Sequence, residues 1–306
     1  MPAESATSLL CPVCRDPLGS SDAAGRSLAC PAGHSFDAAK QGYFNFLVGK
    51  GTVFEADTAD MVAARYDFLS AGHYRPLADA VAERAAAALG GDAAQRPGTV
   101  LDAGTGTGHY LRALLDRLAH DGIRAGAIGL DISKFALRRA GRLNPDAVNV
   151  VGDVWQPLPL ADHAVDVITV VFAPRNAPEF ARVLRPGGRL VVVTPRPGHL
   201  AEVAGQTGML GIDPAKGERL AASLEGHFAA LSADNLDVPL SLSPDDVARL
   251  ALMGPAGHHL DRGALASIAA ALPPLTAVSA RFRISVFEPA ADPGLPRGND
   301  LATFST

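Results

Sequence analysis

Cys11-Pro-Val-Cys14 and Cys30-Pro-Ala-Gly-His34 put three thiols and one imidazole into two short turns, and they hold every cysteine in the chain. A Cys-x-x-Cys turn followed by a Cys-x-x-x-His turn supplies a tetrahedral Cys3His donor set suited to zinc. Four protein ligands leave no open position for water, so such a metal folds a small lobe and does no chemistry itself. An odd number of cysteines argues against a disulfide framework.

A second set of residues points to a nucleotide-like ligand. Gly104-Thr-Gly106-Thr107-Gly108 follows a short apolar run, Thr99 to Ala103, and precedes a helical pattern. A glycine turn between strand and helix lets the backbone approach a ligand closely. The third glycine comes one residue earlier than the G-x-G-x-x-G of dinucleotide folds. Asp102 stands just before the turn, where it can accept from an ammonium, a group a pyrophosphate lacks. S-adenosylmethionine carries an ammonium, a ribose and an adenine. Asp131 closes the next apolar run and can accept the ribose hydroxyls. Asp153 follows the third and can accept the adenine amino group. One such acid reads as a cap for a helix or turn. Three, at the ends of successive strands, read as a site, because open α/β sheets bind ligands along that edge.

The elements that must position these groups follow from periodicity. Helical spacing runs from Asp57 to Leu69 and from Leu77 to Leu89. Strands are expected at 99–103, 127–131, 148–151, 165–172 and 189–194, with helices at 109–120 and 134–142. Leu184-Arg-Pro-Gly-Gly188 breaks a helix before the last of these strands. The alternation predicts an α/β fold with a mostly parallel sheet. Two or three helices are expected between Leu200 and Ala271, then a strand from Val278 to Val286. The reading divides the chain into a zinc lobe at 8–48, a linker and helices at 49–98, the main domain at 99–290 and a disordered tail at 291–306. The lobe and the main domain are expected to have separate cores. The aromatics of Tyr43-Phe-Asn-Phe46 are expected to pack the lobe.

Of the 306 residues, 48% are hydrophobic, enough for a substantial core, and the formal net charge is −5. An acidic balance does not advertise nucleic-acid binding, so any such function must rest on local clusters. Lys134, Arg138, Arg139 and Arg142 share one helix, and Arg175, Arg182, Arg185, Arg189 and Arg196 follow. No apolar run is long enough to span a bilayer. A soluble, cytoplasmic protein without a membrane partner is expected.

Asp102 to Gly108, Leu130-Asp131 and Leu184 to Gly188 resemble the motifs of class I S-adenosylmethionine-dependent methyltransferases, whose fold is Rossmann-like with a seven-stranded sheet. Further segments sharpen the resemblance: the Cys3His lobe, Gln41 to Leu47, Asp57 to Arg65, Ser70-Ala-Gly-His-Tyr74-Arg-Pro-Leu77, Val171-Phe-Ala-Pro-Arg175-Asn176 and Val193-Thr-Pro-Arg-Pro-Gly-His199-Leu200. Over about residues 9 to 290 the chain resembles the bacterial 23S ribosomal RNA guanine-N1-methyltransferases, in particular the Gram-positive branch that confers resistance to tylosin-type macrolides. The resemblance implies a homodimer whose cleft holds a 23S rRNA hairpin lining the peptide exit tunnel. It also implies cofactor contacts at Tyr74, Gly106, Thr107 and His199, beside Asp102, Gly104, Asp131 and Asp153. Two departures stand out: no tryptophan in Met253 to His259, and a linker from Gly49 to Asp57 that is nearly uncharged.

Guanine N1 carries a proton at neutral pH, so its methylation needs that proton removed or the charge at O6 stabilised. Phe172 to Asn176 follows the fourth strand, where this fold places its target. There Arg175 can stabilise charge on O6, while Asn176 can bond the base edge and cap the next helix. Two other functions fit the same cofactor site: methylation of a small natural product, and non-catalytic S-adenosylmethionine binding.

Overall fold

The computed structural model describes residues 8–49, 51–90, 96–209 and 222–290. Three short antiparallel strands, β1 (Gly19–Ser20), β2 (Ser27–Ala29) and β3 (Ser35–Asp37), build the N-terminal lobe. The next strand, β4 (Tyr43–Asn45), leaves the lobe and pairs in parallel with β7 (Val148–Val151). The expected seven-stranded sheet is present and gains an eighth strand from the lobe. Its order is β10-β11-β9-β8-β5-β6-β7-β4, with β5 at Gly98–Ala103, β6 at Ala125–Asp131, β8 at Val165–Val171, β9 at Leu184–Pro195, β10 at Phe228–Leu242 and β11 at Thr276–Pro289.

Strands β4 to β9 run parallel, whereas β11 pairs antiparallel with both β9 and β10. The strand order reverses beside β5, with β6 on one side and β8 on the other. The crevice at that reversal is the expected ligand position of an open α/β sheet.

Helices cover both faces. On one side lie α1 (Ala59–Ser70), α2 (Arg75–Ala87) and α3 (His109–His120), followed later by α6 (Ala201–Thr207) and α7 (Pro244–Leu252). The first of these starts two residues later than the periodicity suggests because Thr58 caps it, accepting from Met61 N at 3.3 Å. The second starts at Arg75, since Pro76 is tolerated in a first turn. The remaining helices are α4 (Lys134–Leu143), α5 (Ala177–Val183) and α8 (Arg262–Ala270). Successive strand residues alternate between two cores. Val100, Val167 and Val191 pack with Leu77, Val81, Leu111 and Leu114, whereas Leu101, Ile128, Ile168 and Val192 pack with Phe180 and Val183.

Two expectations are corrected here. The lobe has no core of its own: Leu9, Cys11, Leu28, Phe44 and Phe46 belong to the cluster that holds Ile128, Val150, Leu160 and Phe180. A segment this short cannot bury enough surface alone, so its rings pack against the main sheet. Tyr43, in turn, packs with Leu137, Ala140 and Val151. The other correction is β10: α6, α7 and α8 do lie between Leu200 and Ala271 as expected, but a long strand that was not expected separates α6 from α7. It lies at the sheet edge and buries only Phe228, Val238, Leu240 and Leu242, so its apolar signal is weak. The predicted disordered tail, 291–306, lies outside the described residues.

Candidate functional site

The metal site is local. Ligand atoms of Cys11, Cys14, Cys30 and His34 all lie within 4.8 Å of one another. Cys14 Sγ is 3.6 Å from Cys30 Sγ, and Cys30 Sγ is 3.4 Å from His34 Nδ1. These separations match the edges of a tetrahedron built on Zn–S bonds of about 2.3 Å. The cysteines form no disulfide, and the donor set fits a structural zinc. Backbone bonds shape both turns: Arg15 N donates to Cys11 O at 2.9 Å and Gly33 N to Cys30 O at 2.9 Å. Gly33 takes φ +87°, which favours glycine.

The expected cofactor edge is assembled from distant segments. Asp102, 1% exposed, ends β5. Its Oδ1 accepts from Thr169 Oγ1 of β8 at 2.7 Å, whereas Oδ2 is buried without a well-formed hydrogen bond among the described residues, with the Thr105 hydroxyl beside it in the same position. An orphaned carboxylate oxygen at this edge fits the ammonium of S-adenosylmethionine, because burial without a partner is costly. Burial pushes the Asp102 carboxyl up to about 6, with the hydroxyls of Thr169 and Thr105 opposing.

Asp131 ends β6 and accepts from Gly106 N and Ser133 N, each at 2.8 Å. Burial raises its pKa, and these two bonds oppose the shift. They fix the carboxylate against the glycine turn, and its remaining lone pairs suit ribose hydroxyls. Asp153 accepts from Trp155 N at 2.9 Å and from Thr52 Oγ1 at 2.8 Å. Thr52 brings the linker over this edge. Phe54 then packs 6.3 Å from Trp155, and Asp57 pairs with Arg65. Sequence reasoning missed Thr52 and Thr169 and gave Arg65, the end of the Asp57 to Arg65 segment, no role of its own; their contacts, made across the fold, reveal them.

Gly104 joins this crevice to the next segment. With φ +81°, a Cβ there would stand 2.2 Å from Ala173 Cβ, so only glycine lets the loop close on Phe172 to Asn176. Thr107 Oγ1 lies 2.9 Å from His109 Nδ1, whose Nε2 is 3.0 Å from Ser70 Oγ. Burial brings His109 down to about 4, so it is neutral at physiological pH.

Tyr74 and His199 meet around Phe282, another residue the sequence did not single out. Tyr74 is 5.1 Å and edge-on to Phe282, His199 is 5.0 Å away and Phe172 is 5.7 Å away. His199 Nδ1 also accepts from Arg281 N at 3.0 Å. Phe172 and Leu200 hold φ of 56° and 57°, left-handed conformations that cost about 1–3 kcal/mol each and cluster at functional sites.

Arg175 and Asn176 behave differently from each other. Arg175 forms no ion pair or hydrogen bond among the described residues, and its Nε is buried without a partner; burial lowers its pKa. Asn176 stands at the start of α5, but its side chain does not cap that helix. Its Nδ2 donates instead to Val154 O at 2.9 Å, which corrects the capping expectation. The later arginines are neutralised by acids: Arg182 by Glu179 and Asp162, Arg185 by Asp166, Arg189 by Glu288 and Arg196 by Asp237. On α4, Arg139 lies over Tyr66 while Lys134, Arg138 and Arg142 are exposed.

Comparison with known proteins agrees with this layout. Residues 9–48 match the family described as RlmA, N-terminal, and residues 100–188 match a methyltransferase domain. The chain is 44% identical over 281 residues to the 23S rRNA (guanine(748)-N(1))-methyltransferase of Streptomyces fradiae, covering 92% of this chain and 96% of that one. A Micromonospora griseorubida protein carrying the name of a 23S rRNA (guanine-N(1)-)-methyltransferase is 46% identical over 291 residues, covering 92% and 97%. A Bacillus subtilis protein with a name of the same kind is 35% identical over 195 residues, covering 63% and 66%.

Proposed function

Since the chain belongs to the 23S rRNA (guanine-N1-)-methyltransferase family, we propose that it methylates N1 of a guanine in a 23S rRNA hairpin lining the peptide exit tunnel. The observation that carries this reading is the closure of Gly104 on Ala173: the cofactor turn and the Phe172–Asn176 segment share one wall. Bound S-adenosylmethionine supplies an electrophilic methyl group on its sulfonium. Asp102, Asp131 and Asp153 hold its ammonium, ribose and adenine, with Gly104, Gly106, Thr107, Tyr74 and His199 around them. Arg175, without an acid partner among the described residues, stabilises the negative charge that develops on guanine O6 as the N1 proton leaves. Asn176 keeps its carbonyl oxygen for the base edge while its amide nitrogen holds Val154 O.

Residues 8–48 act as the metal lobe, 49–98 as a linking region and 99–290 as the methyl-transfer domain. The protein works in the cytoplasm as a homodimer, and macrolide resistance is its role; support for these comes from the family resemblance. No helix among the described residues is long and apolar enough to cross a membrane.

Primer extension on treated 23S rRNA tests the reading, because a methyl on N1 blocks pairing and stops reverse transcriptase. A stop at one guanine is expected. Arg175→Ala should cut kcat far more than cofactor affinity, since it acts on charge developing at the base. An unmodified transcript, with methylation of a small molecule instead, would overturn the RNA reading.

A further inference from the structure

Arg15 follows the metal ligand Cys14 and holds φ at 67°, a conformation in which a non-glycine residue is uncommon. Its side chain leaves the lobe. Nη1 donates to Leu158 O at 2.7 Å and Nη2 to Leu160 O at 3.4 Å. Arg182, on α5, reaches the same two carbonyls: Nη2 to Leu158 O at 3.2 Å and Nη1 to Leu160 O at 2.8 Å. Glu179 completes the cage, accepting from Leu158 N at 2.6 Å and pairing with Arg182 at 2.6 Å. The lobe backbone joins at the same place, where Leu9 bridges Leu160 and Leu10 N donates to Pro159 O at 2.9 Å.

The strip gripped in this way, Val154 to Leu160, ends at the active segment. Asn176 Nδ2 holds Val154 O, and α5, which carries Glu179 and Arg182, begins directly after Asn176. The strip also starts one residue beyond Asp153. A guanidinium can engage two carbonyls at once because its donors form a fixed fork. A lysine ammonium has three donors but no fixed fork, so it would hold the pair less rigidly.

We propose that Arg15 is a positioning residue for methyl transfer: it ties the metal-ligand turn to the 154–160 strip and α5, and so fixes Arg175 and Asn176 relative to the cofactor. This rests on the reading of Phe172–Asn176 as the target pocket. The metal lobe then acts on the chemistry through a defined contact as well as through shared packing.

The test uses the full zinc-loaded chain with an rRNA hairpin transcript. Trp155, the only tryptophan, lies on the strip, so its emission reports the strip's position independently of activity. R15A should retain zinc and cofactor affinity, shift Trp155 emission, and lower kcat about 10- to 100-fold with little change in KM for RNA, as expected for displaced reacting groups. R15K should recover part of kcat. Combining R15A with Glu179→Gln should be non-additive, since both hold the same strip. Should R15A lose zinc, R15Q, which keeps a neutral amide NH2 but not the charged fork, serves with the same readings. Wild-type kcat and emission in the zinc-loaded variant, or additive effects in the double variant, would overturn the proposal. Arg175→Ala separates the two levels. If it cuts turnover and the Arg15 variants do not, only the coupling fails; if it too leaves turnover intact, the pocket reading fails.

Discussion

In the metal lobe the four ligand atoms come from one stretch, Cys11 to His34, and lie within 4.8 Å of one another. In the crevice proposed for the cofactor, Thr52, Asp102, Asp131, Asp153, Thr169 and His199 come from six separate segments, joined by the sheet and the linker. The lobe gathers its four ligands in one metal site, ties itself to the 154–160 strip through Arg15, Leu9 and Leu10, and borrows its apolar core from the sheet. The crevice spreads its polar interactions over many single hydrogen bonds and rests on a core built by the whole domain. Removing one group should therefore be drastic in the lobe and graded in the crevice.

The largest effect should follow from Cys11→Ser. Structural zinc sites carry binding free energies on the order of 10 kcal/mol that double as folding free energy, comparable to the whole stability of a domain. Because Leu9, Leu28, Phe44 and Phe46 sit in the same cluster as Ile128 and Phe180, the loss should propagate. Calorimetric melting should show one transition for the native protein, strongly lowered in the variant, with zinc absent by metal analysis. A variant that melts in two steps, the upper one unchanged, would restore the idea of separate cores.

Next comes Asp102→Asn. Removing the charge from a buried pair costs about 2–5 kcal/mol, read as weaker S-adenosylmethionine binding by calorimetry. The pH dependence sharpens this. With its carboxyl at about 6, Asp102 is protonated in the free protein below that value, and the ammonium needs the ionised form. Affinity should thus rise with pH through about 6 and level off above it, and the variant should lack this rise. Stability of the ligand-free protein should move the other way. A carboxyl whose pKa is raised on folding binds its proton more tightly in the folded state, so it disfavours folding at neutral pH, an effect relieved as pH falls from about 6 towards the ordinary carboxylate range.

These contrasts explain what could be read in advance. The metal site was legible because its ligands are neighbours in sequence and their types admit few other uses. The common edge of the three acids was legible because each closes an apolar run, and topology alone brings strand ends to one edge. Thr169, Thr52 and Phe282 carry no such mark: a threonine inside an apolar strand looks like any other, and its partner is visible only once β8 lies beside β5. Likewise β10 escaped because an edge strand with Asp234, Asn235, Asp237 and Pro239 is solvated over most of its length, which erases the period-two signal. The arginine cluster misled for the opposite reason. Sequence shows the charges of Arg182, Arg185, Arg189 and Arg196 but not the acids that cancel them.

A smaller step is Thr169→Val, which keeps the shape and removes the bond to Asp102 Oδ1. A hydrogen bond to a buried carboxylate contributes about 1.5–3 kcal/mol, so cofactor affinity should fall by no more than that. Since the bond favours the charged form, its loss should also move the midpoint of the affinity–pH profile above that of the native protein. An unshifted midpoint would show that Thr169 does not bias the ionisation of Asp102.

The smallest expected effect is at Thr52, and it bears most directly on the idea of a distributed site. Its hydroxyl donates to Asp153 Oδ2 at 2.8 Å and is a polar tether between the linker and the segment that follows β7. Phe54 against Trp155, Asp57 with Arg65 and Ser133 Oγ on Asp57 O at 3.0 Å hold the same segment. With the load shared, Thr52→Val should weaken cofactor binding by about 0.5–1 kcal/mol, mainly through faster dissociation measured by stopped flow. Pairing it with Phe54→Ala should give more than the sum of the two, because either tether alone still keeps the segment in place. A loss of several kcal/mol from Thr52→Val alone would mean that the crevice, like the metal lobe, hangs on a single contact.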